Sequence, residues 1–213
     1  MIRTGLLGGS FNPAHDGHRK TSLHAMRALG LDEIWWLVSP GNPLKPTTGM
    51  APLAARFLSA QRAARGAPIR ATVIERDLGT RYTIDTLRAL IRRYPRRRFV
   101  WIMGADNLAQ FHRWRDWRRI AALVPIAVVS RPGYDDDAPM APAMGWLRRF
   151  VRPAAMIRQR TRWRLPSLVL LRLPPDPTSA TALRAARPQW HEPVMKSFQH
   201  GAVRDRVTRR PVT

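Results

Sequence analysis

Short apolar runs alternate along the chain with longer amphipathic stretches. The runs have the length of buried strands, and helix-like segments begin near Asp16, Pro52, Thr83, Trp114 and Thr181. Strands that alternate with helices pair in parallel, because each helix carries the chain back across the sheet. The pattern predicts an α/β fold with a mostly parallel sheet and helices on both faces, its strands at residues 2–7, 33–38, 69–74, 99–103, 126–129 and 168–173.

This element order is typical of a Rossmann-like, doubly wound sheet, in which ligands bind at the carboxyl ends of the strands. Gly8, Lys45, Gly104 and Ser179 each follow a predicted strand. Residues 132–166 depart from the pattern, because proline, arginine and methionine crowd there without periodicity, and we expect an insertion or a mobile loop. The chain is therefore expected to form one domain over residues 1–185, followed by a basic C-terminal tail over residues 186–213.

Composition limits the classes of protein that the chain can belong to. With 213 residues, 45% of them hydrophobic, it can bury one α/β core but not two full domains. The absence of cysteine excludes a disulfide framework, a thiol nucleophile and a thiolate metal site. No apolar run reaches the length of a membrane span, and the first residues lack the apolar core of a signal peptide. We therefore expect a soluble, cytoplasmic protein without a membrane partner.

The formal net charge of +23 favours polyanionic ligands, and nucleic acid is the first candidate. However, the basic residues are almost all arginine, with Lys20, Lys45 and Lys196 as the lysines. We interpret most of this charge as the amino-acid bias of a GC-rich genome, and expect no specific nucleic-acid partner. The arginines between residues 138 and 175, where no acid occurs, could also steer ATP or a mononucleotide towards a site.

The segment from Gly8 to His18 reads Gly-Gly-Ser-Phe-Asn-Pro-Ala-His-Asp-Gly-His and joins the first strand to the first helix. Glycines at such a turn let backbone N–H groups approach an oxyanion, and a helix start adds partial positive charge. His15 and His18 are three residues apart, so on a helix both would face one way and donate hydrogen bonds to phosphate oxygens. A metal site is the alternative, but no third ligand lies nearby, and no metal ligand is predicted.

A second phosphate-binding pattern occupies residues 178–184, Thr-Ser-Ala-Thr-Ala-Leu-Arg. Ser179 and Thr181 are suited to cap a helix start, and the guanidinium of Arg184 can fork onto phosphate oxygens. An ordinary capped surface helix would show the same pattern. The phosphate interpretation therefore depends on the two segments together.

Together the two segments resemble the G-x-F-x-P-x-H-x-G-H and I-S-S-T-x-I-R motifs of nucleotidyltransferases, although Thr178, Ala180 and Leu183 depart from the second motif. Residues 82–87 and 104–117 are similar to the Y-T-x-D-T-L and G-x-D-x-L…W…W elements of one branch, the bacterial nicotinate-nucleotide adenylyltransferases. The resemblance covers residues 1–131 and 176–184. Residues after 184 lack the closing V-P-x-x-V-x-x-Y-I pattern of that family.

The resemblance implies adenylyl transfer from ATP to nicotinate mononucleotide in NAD biosynthesis, giving nicotinate adenine dinucleotide and pyrophosphate. It implies His15, His18 and Arg184 as catalytic residues, and Mg²⁺ held mainly by the ATP phosphates as the cofactor. The other implied contacts are Gly8, Gly9, Ser10, Phe11, Ser179 and Thr181 for ATP, and Lys45, Thr83, Gly104, Asp106, Asn107 and Trp114 for the pyridine nucleotide.

Several alternatives stay open at this point. A sister adenylyltransferase that uses another phosphate acceptor, such as phosphopantetheine, shares the first motif, and a basic nucleotide- or RNA-binding protein without catalysis would share the charge. Trp114 and Trp117 suit either a wall for the flat pyridine ring or the core face of an amphipathic helix. The sequence also leaves open the preference between nicotinate and nicotinamide mononucleotide, and whether the chain forms a homo-oligomer.

Overall fold

A computed structural model describes residues 1–41, 49–130, 140–159, 163–173, 180–196 and 203–212. Within these ranges the fold is built on six parallel strands in the order β3-β2-β1-β4-β5-β6. The chain starts in the middle of the sheet, builds one half outwards, and then returns to build the other half from β4. The strands are β1 (Ile2–Gly9), β2 (Glu33–Val38), β3 (Ile69–Thr72), β4 (Arg97–Gly104), β5 (Ile126–Ser130) and β6 (Leu168–Arg172).

Helices cover both faces of the sheet and separate two apolar cores. Neighbouring residues of β2 show the division, because Trp35 lies in one core and Trp36 in the other, both almost fully buried. The described helices are α1 (Asp16–Leu29), α2 (Leu53–Ala63), α3 (Ile74–Leu78), α4 (Thr83–Arg93), α5 (Ala105–Phe111), α6 (Trp117–Leu123), α7 (Met144–Leu147), α8 (Ala154–Gln159), α9 (Ala180–Ala186) and α10 (His191–Lys196), with a 3₁₀ turn at Arg148–Phe150.

The predicted doubly wound α/β fold is confirmed, and each predicted strand is present. Helices α1, α2 and α8 contribute to the core that contains Trp36, while α4, α5, α6 and α7 contribute to the core that contains Trp35. Of the described helices, none combines the length and the apolarity that crossing a membrane requires.

Several element boundaries differ from the prediction, and two of these differences have a clear structural cause. The third strand ends at Thr72, because the backbone N–H groups of Val73 and Ile74 bond to Asp205 Oδ2 and Thr72 Oγ1 and α3 begins there. The predicted helix near Trp114 begins instead at Trp117, since Asp116 has a left-handed backbone (φ 52°) that cannot continue a right-handed helix.

Two segments contain more regular structure than the pattern predicted. In the segment 132–166, residues 140–159 form α7, the 3₁₀ turn and α8, and the side chains of Leu147 and Ile157 are buried. Beyond residue 185 the chain forms α10, and Asp205 and Val212 are almost fully buried against the core. The described parts of both segments thus belong to the packed fold, while the boundary at residue 185 stays a prediction.

Candidate functional site

A cavity of about 650 Å³ opens at the carboxyl ends of β1 and β4. These two strands are adjacent, but the connections that follow them run towards opposite edges of the sheet. Such a switch point leaves a crevice between the loops, which is where open parallel sheets bind their ligands. Gly8 and Gly9 at the end of β1, and Gly104 at the end of β4, form the floor of this crevice.

Close packing explains why the first loop carries glycine. A β-carbon on Gly8, near the end of β1, would lie 2.8 Å from the buried Trp101 ring, so a larger residue would force the ring or the strand end to shift. Phe11 has a left-handed backbone (φ 48°), and its buried ring stacks on Trp36 at a centroid distance of 5.0 Å. This anchor turns the chain back over the cavity before α1 begins.

His15 and His18 come together through a capping arrangement and not, as the spacing suggested, on one helical face. His15 is the N-cap of α1, and its Nδ1 accepts the backbone N–H of Gly17 at 3.1 Å. His18 Nδ1 accepts the backbone N–H of His15 at 3.3 Å, and the ring centroids are 4.0 Å apart. Because each Nδ1 acts as an acceptor, the neutral rings carry their protons on Nε2. Both residues line the cavity, where these N–H groups are suited to bind an oxyanion.

The second predicted phosphate segment reaches the same cavity through Arg184. Its guanidinium donates from Nη1 to the backbone oxygen of Asn12 at 2.6 Å, and from Nη2 to Thr181 Oγ1 at 3.3 Å. Arg184 and Thr181 both line the cavity. Helix α9, 172 residues further along the chain, is thereby joined to the first loop, so the two motifs line one cavity.

The wall formed by α4 and α5 holds the residues expected to contact the pyridine nucleotide. Tyr82 is the N-cap of α4, and no side chain caps this helix, whose first residue, Thr83, lines the cavity. Trp114 lies in the turn after α5, with its ring edge-on to Trp101 and Phe111 at 6.0 and 5.4 Å. Trp114 therefore packs on the core and also lines the cavity.

Trp117 takes the other role that the sequence left open. It packs edge-on against Phe111 and Trp146 at 5.7 and 5.5 Å, and it does not line the cavity. Every predicted site residue within the described ranges lines the cavity: Gly8, Gly9, Ser10, Phe11, His15, His18, Thr83, Gly104, Asp106, Asn107, Trp114, Thr181 and Arg184. Lys45 and Ser179 lie outside the described residues.

The cavity is strongly basic. Arg81, Arg113, Arg115 and Arg184 line it together with the two histidines, while Glu75 and Asp106 are the carboxylates among its described lining residues. A low-dielectric crevice with such walls concentrates anions. The floor, the helix starts and the charge are therefore all suited to ligands that carry several phosphates.

A family model described as cytidylyltransferase-like matches residues 6–186 of the chain. The chain belongs to this family. The match spans both motif segments and the described sheet except for the first four residues of β1, which confirms the nucleotidyltransferase resemblance that the motifs predicted.

Curated relatives within the family are similar over nearly the full chain. A protein of Erythrobacter litoralis, named "Probable nicotinate-nucleotide adenylyltransferase", is 62% identical over 211 residues, which is 99% of this chain and 94% of the relative. A protein of Gluconobacter oxydans with the same name is 50% identical over 183 residues, covering 86% and 94% of the two chains.

Solved structures share the fold. The nicotinic acid mononucleotide adenylyltransferase of Plasmodium falciparum in complex with NaAD aligns with a TM-score of 0.63, at 13% identity, over 93% of this chain and 97% of that chain. The same protein in complex with APC aligns with a TM-score of 0.61, at 14% identity, over 87% and 83%. At this identity the likeness supports the fold alone.

Two charged residues of this family member are important for the site, although sequence reasoning missed them. Arg56 on α2 is 2% exposed, and its guanidinium donates to the backbone oxygens of Ser10, Ser39 and Ala51 at 2.8, 2.7 and 2.9 Å. Burial lowers the pKa of Arg56 to about 10, so it stays cationic near neutral pH. Arg56 thereby links the first loop, at Ser10, to Ser39 and Ala51, which precede and follow residues 42–48.

Glu75 is the second residue that sequence reasoning missed. It lies in the first turn of α3, lines the cavity and is 8% exposed. Burial raises the pKa of Glu75 to about 7, although hydrogen bonds from Thr86 and Ser39 oppose the shift. A charged residue is ordinarily assigned to the surface, and no local pattern in the sequence marks either residue as buried.

Proposed function

We propose that the protein transfers the adenylyl group of ATP to nicotinate mononucleotide, producing nicotinate adenine dinucleotide and pyrophosphate. The observation that carries this proposal is the hydrogen bond between Arg184 and the backbone of Asn12, which brings the two phosphate-binding segments to one basic cavity. The identity of 62% with a relative named for this activity, over 99% of the chain, supports the choice of acceptor.

The proposed reaction needs positioning more than proton transfer. The phosphate of the mononucleotide is already an anion near neutral pH, and it attacks the α-phosphorus of ATP while pyrophosphate leaves. Catalysis then consists of holding two anions in line and neutralising the charge of the transition state. We assign His15 and His18 to the α-phosphate, and Arg184, Ser179 and Thr181 to the β- and γ-phosphates, with backbone N–H groups of residues 8–11 beside them.

The acceptor is assigned to the wall of the cavity formed by α4 and α5. The uncapped start of α4 at Thr83 has partial positive charge, which suits the carboxylate of nicotinate. Trp114 offers an aromatic wall to the flat ring. Gly104, Asp106 and Asn107 at the end of β4 would contact the ribose and phosphate, and Lys45 is a further candidate for the phosphate.

We propose Mg²⁺ as the cofactor, entering with ATP. The described residues contain no cluster of three or more histidine or acidic side chains that could hold a metal ion. Asp106, at the exposed start of α5, is the carboxylate that could contact the ion or its water shell. Hard cations bind phosphate oxygens and water readily, so the donor set present fits an ion carried by the nucleotide and neutralising its charge. For an enzyme that consumes ATP we also propose a cytoplasmic location.

A panel of acceptors tests the function. The purified protein is incubated with ATP, Mg²⁺ and nicotinate mononucleotide, nicotinamide mononucleotide or phosphopantetheine, and released pyrophosphate is measured. We expect turnover with nicotinate mononucleotide. Turnover with phosphopantetheine alone would assign the chain to the sister activity. Steeply salt-dependent RNA binding without pyrophosphate release would instead support a non-catalytic basic protein.

A further inference from the structure

Glu75 is the buried ionisable group of the cavity to which the proposed reaction gives no task. The described lining is otherwise dominated by arginine and histidine, and it is suited to substrates that are all anions. An ionised carboxylate in that wall would repel them, and with 8% of its surface exposed it is poorly screened by water. A carboxyl group in this position therefore needs a physical explanation of its own.

Hydroxyl groups around Glu75 can accommodate both of its protonation states. Thr86 Oγ1 donates to Glu75 Oε1 at 3.2 Å, and Thr86 lies 2.9 Å from the hydroxyl of Thr80. Ser39 Oγ also bonds to Glu75, and it donates to the backbone oxygen of Gly41 at 3.0 Å. Since a hydroxyl has one proton, Ser39 accepts from a protonated Glu75 while it donates to Gly41, or it turns to donate to an ionised Glu75.

These contacts place the carboxyl group beside the proposed pyridine subsite. Thr86 Oγ1 can donate its one proton either to Glu75 or to the backbone oxygen of Tyr82, the N-cap of α4, which lies 3.3 Å away. Tyr82, Thr83 and Glu75 all line the cavity. The start of α4 is the position where the proposed function puts the nicotinate carboxylate, so a second carboxyl group lies two hydrogen bonds away from that helix start.

Neighbouring charges do not account for the behaviour of Glu75. Helix α3 packs against β2 and α4. The ionisable groups on or near α3 and α4 come from several segments. They are Arg76 and Asp77 on α3, Asp85 and Arg88 on α4, Arg81 and Tyr82 before α4, and the C-terminal Asp205, which bonds to the end of β3. His15 and His18 also line the cavity. The raised pKa of Glu75 comes from burial, opposed by the two hydroxyl bonds, and no charged group is among its causes.

We propose that Glu75 determines how the site distinguishes an acidic from an amide substituent on the pyridine ring. This proposal rests on the proposed function. When nicotinate binds, a protonated Glu75 can turn its one proton from Ser39 towards the carboxylate of nicotinate, whereas an ionised Glu75 repels that carboxylate and can accept from the amide of nicotinamide. Nicotinate mononucleotide therefore binds best to the protonated form, and its binding draws a proton onto Glu75 at higher pH.

The kinetic test compares the protein with Glu75→Gln, which stays neutral at every pH. We measure kcat/KM for both mononucleotides from about pH 6 to about pH 8.5. For nicotinate mononucleotide, kcat/KM of the variant divided by kcat/KM of the unmodified protein is expected to rise about tenfold over this range. The reason is that the glutamate ionises only in the unmodified protein. For nicotinamide mononucleotide no such rise is expected. Titration of the substrate phosphate cancels, because each ratio compares two proteins with one substrate.

The outcomes separate a role in specificity from a structural one. A flat ratio with nicotinate mononucleotide would overturn the proposal, and so would an equal rise with both substrates, which would reflect a general effect of the charge on the cavity. If neither mononucleotide yields pyrophosphate with the unmodified protein, the proposed function itself fails. Asp85→Asn is the matched control, because it removes a half-exposed charge on α4 outside the cavity lining, and its ratio should stay flat.

A binding measurement keeps the proposal testable if Glu75→Gln folds poorly. Calorimetric titration of the unmodified protein with nicotinate mononucleotide near pH 8, in buffers of different ionisation enthalpy, reports the protons taken up. We expect net uptake approaching one proton per site, and clearly less with the amide analogue. Equal uptake with both ligands would contradict the proposal, since their phosphates are the same and only the ring substituent differs.

Discussion

At the scale of the residue, the site is built by side chains that bond to the backbone as well as by those that face the cavity. His15 and His18 illustrate this, since each uses Nδ1 to accept a backbone N–H at the start of α1. The same bonds that cap the helix orient the rings and fix which nitrogen carries the proton. A change at either histidine therefore affects both the helix start and the proposed transition state.

His18→Ala is expected to lower kcat about a hundredfold or more, because it removes a donor that acts on charge developing in the transition state. The free energy of unfolding should change much less, since His15 still caps α1 through Gly17. Pyrophosphate release under saturating substrates measures the effect. His112→Ala serves as the control, because His112 is exposed and does not line the cavity. An unchanged kcat for His18→Ala would remove this residue from the mechanism.

Glu75→Gln is expected to stabilise the protein at neutral and alkaline pH. Since the folded-state pKa of Glu75 is raised to about 7, the stability linked to its protonated form is fully present below the unfolded-state pKa. That stability is lost as pH rises through about 7, and it amounts to at most about 3 kcal/mol. Urea unfolding at pH 5 and pH 8 checks this. The free energy of unfolding of the variant should clearly exceed that of the unmodified protein at pH 8, and the difference should be small at pH 5. An equal gain at both pH values would contradict the assignment.

At the scale of the element, the sheet could be predicted from the sequence more fully than the helices. The strands are short apolar runs, and β2 and the middle of β4 are buried on both faces, which is a signal local to the run. Helix α5 was missed because it begins at Ala105, directly after β4, without a polar cap or a loop to mark its start. The first residue of α3, Ile74, was predicted as strand and the rest of this helix was not predicted, since the bond that ends β3 comes from Asp205, far away in the sequence.

The site could be predicted where its chemistry is concentrated in short motifs. Glycines, histidines and Arg184 stand at spacings that have few other uses, and the described ones line the cavity. Arg56 could not be found in this way, because its partners are backbone oxygens from three separate segments and leave no trace in side-chain identity. Only the fold shows that this arginine is buried.

Arg56→Met is expected to lower the free energy of unfolding by about 3 kcal/mol, because it leaves buried carbonyl oxygens without their donor. The variant should also raise KM for ATP, since the loop at Ser10 loses its link to Ser39 and Ala51. Arg56→Lys should restore less than half of the loss, as an ammonium lacks the planar fork. Urea unfolding and KM are measured beside Arg65→Met, an exposed control just after α2. Equal effects of Arg56→Met and Arg65→Met would exclude this role.

At the scale of the whole molecule, the C-terminal residues 203–212 pack against the half of the sheet that carries β3. Asp205 is fully buried, and its Oδ2 accepts Thr72 Oγ1 and the backbone N–H of Val73 at 2.7 and 2.8 Å. Its Oδ1 accepts the backbone N–H groups of Val207 and Thr208 at 2.7 and 3.1 Å. One carboxylate thus links the end of the chain to the point where β3 gives way to α3, two residues before Glu75.

Asp205→Ala should therefore act on both stability and the site. Losing four hydrogen bonds to a buried charge, two of them from N–H groups of the C-terminal turn, is expected to lower the free energy of unfolding by about 2–4 kcal/mol. Because α3 starts at the released Val73, KM for the mononucleotide should rise while kcat at saturation changes little. Asp205→Asn keeps one side-chain oxygen as an acceptor. Its free energy of unfolding and its KM should therefore lie between those of the unmodified protein and of Asp205→Ala. If Asp205→Ala has the same free energy of unfolding and the same KM as the unmodified protein, the C-terminal residues are dispensable. In that case β3 and α3 hold Glu75 in place without them.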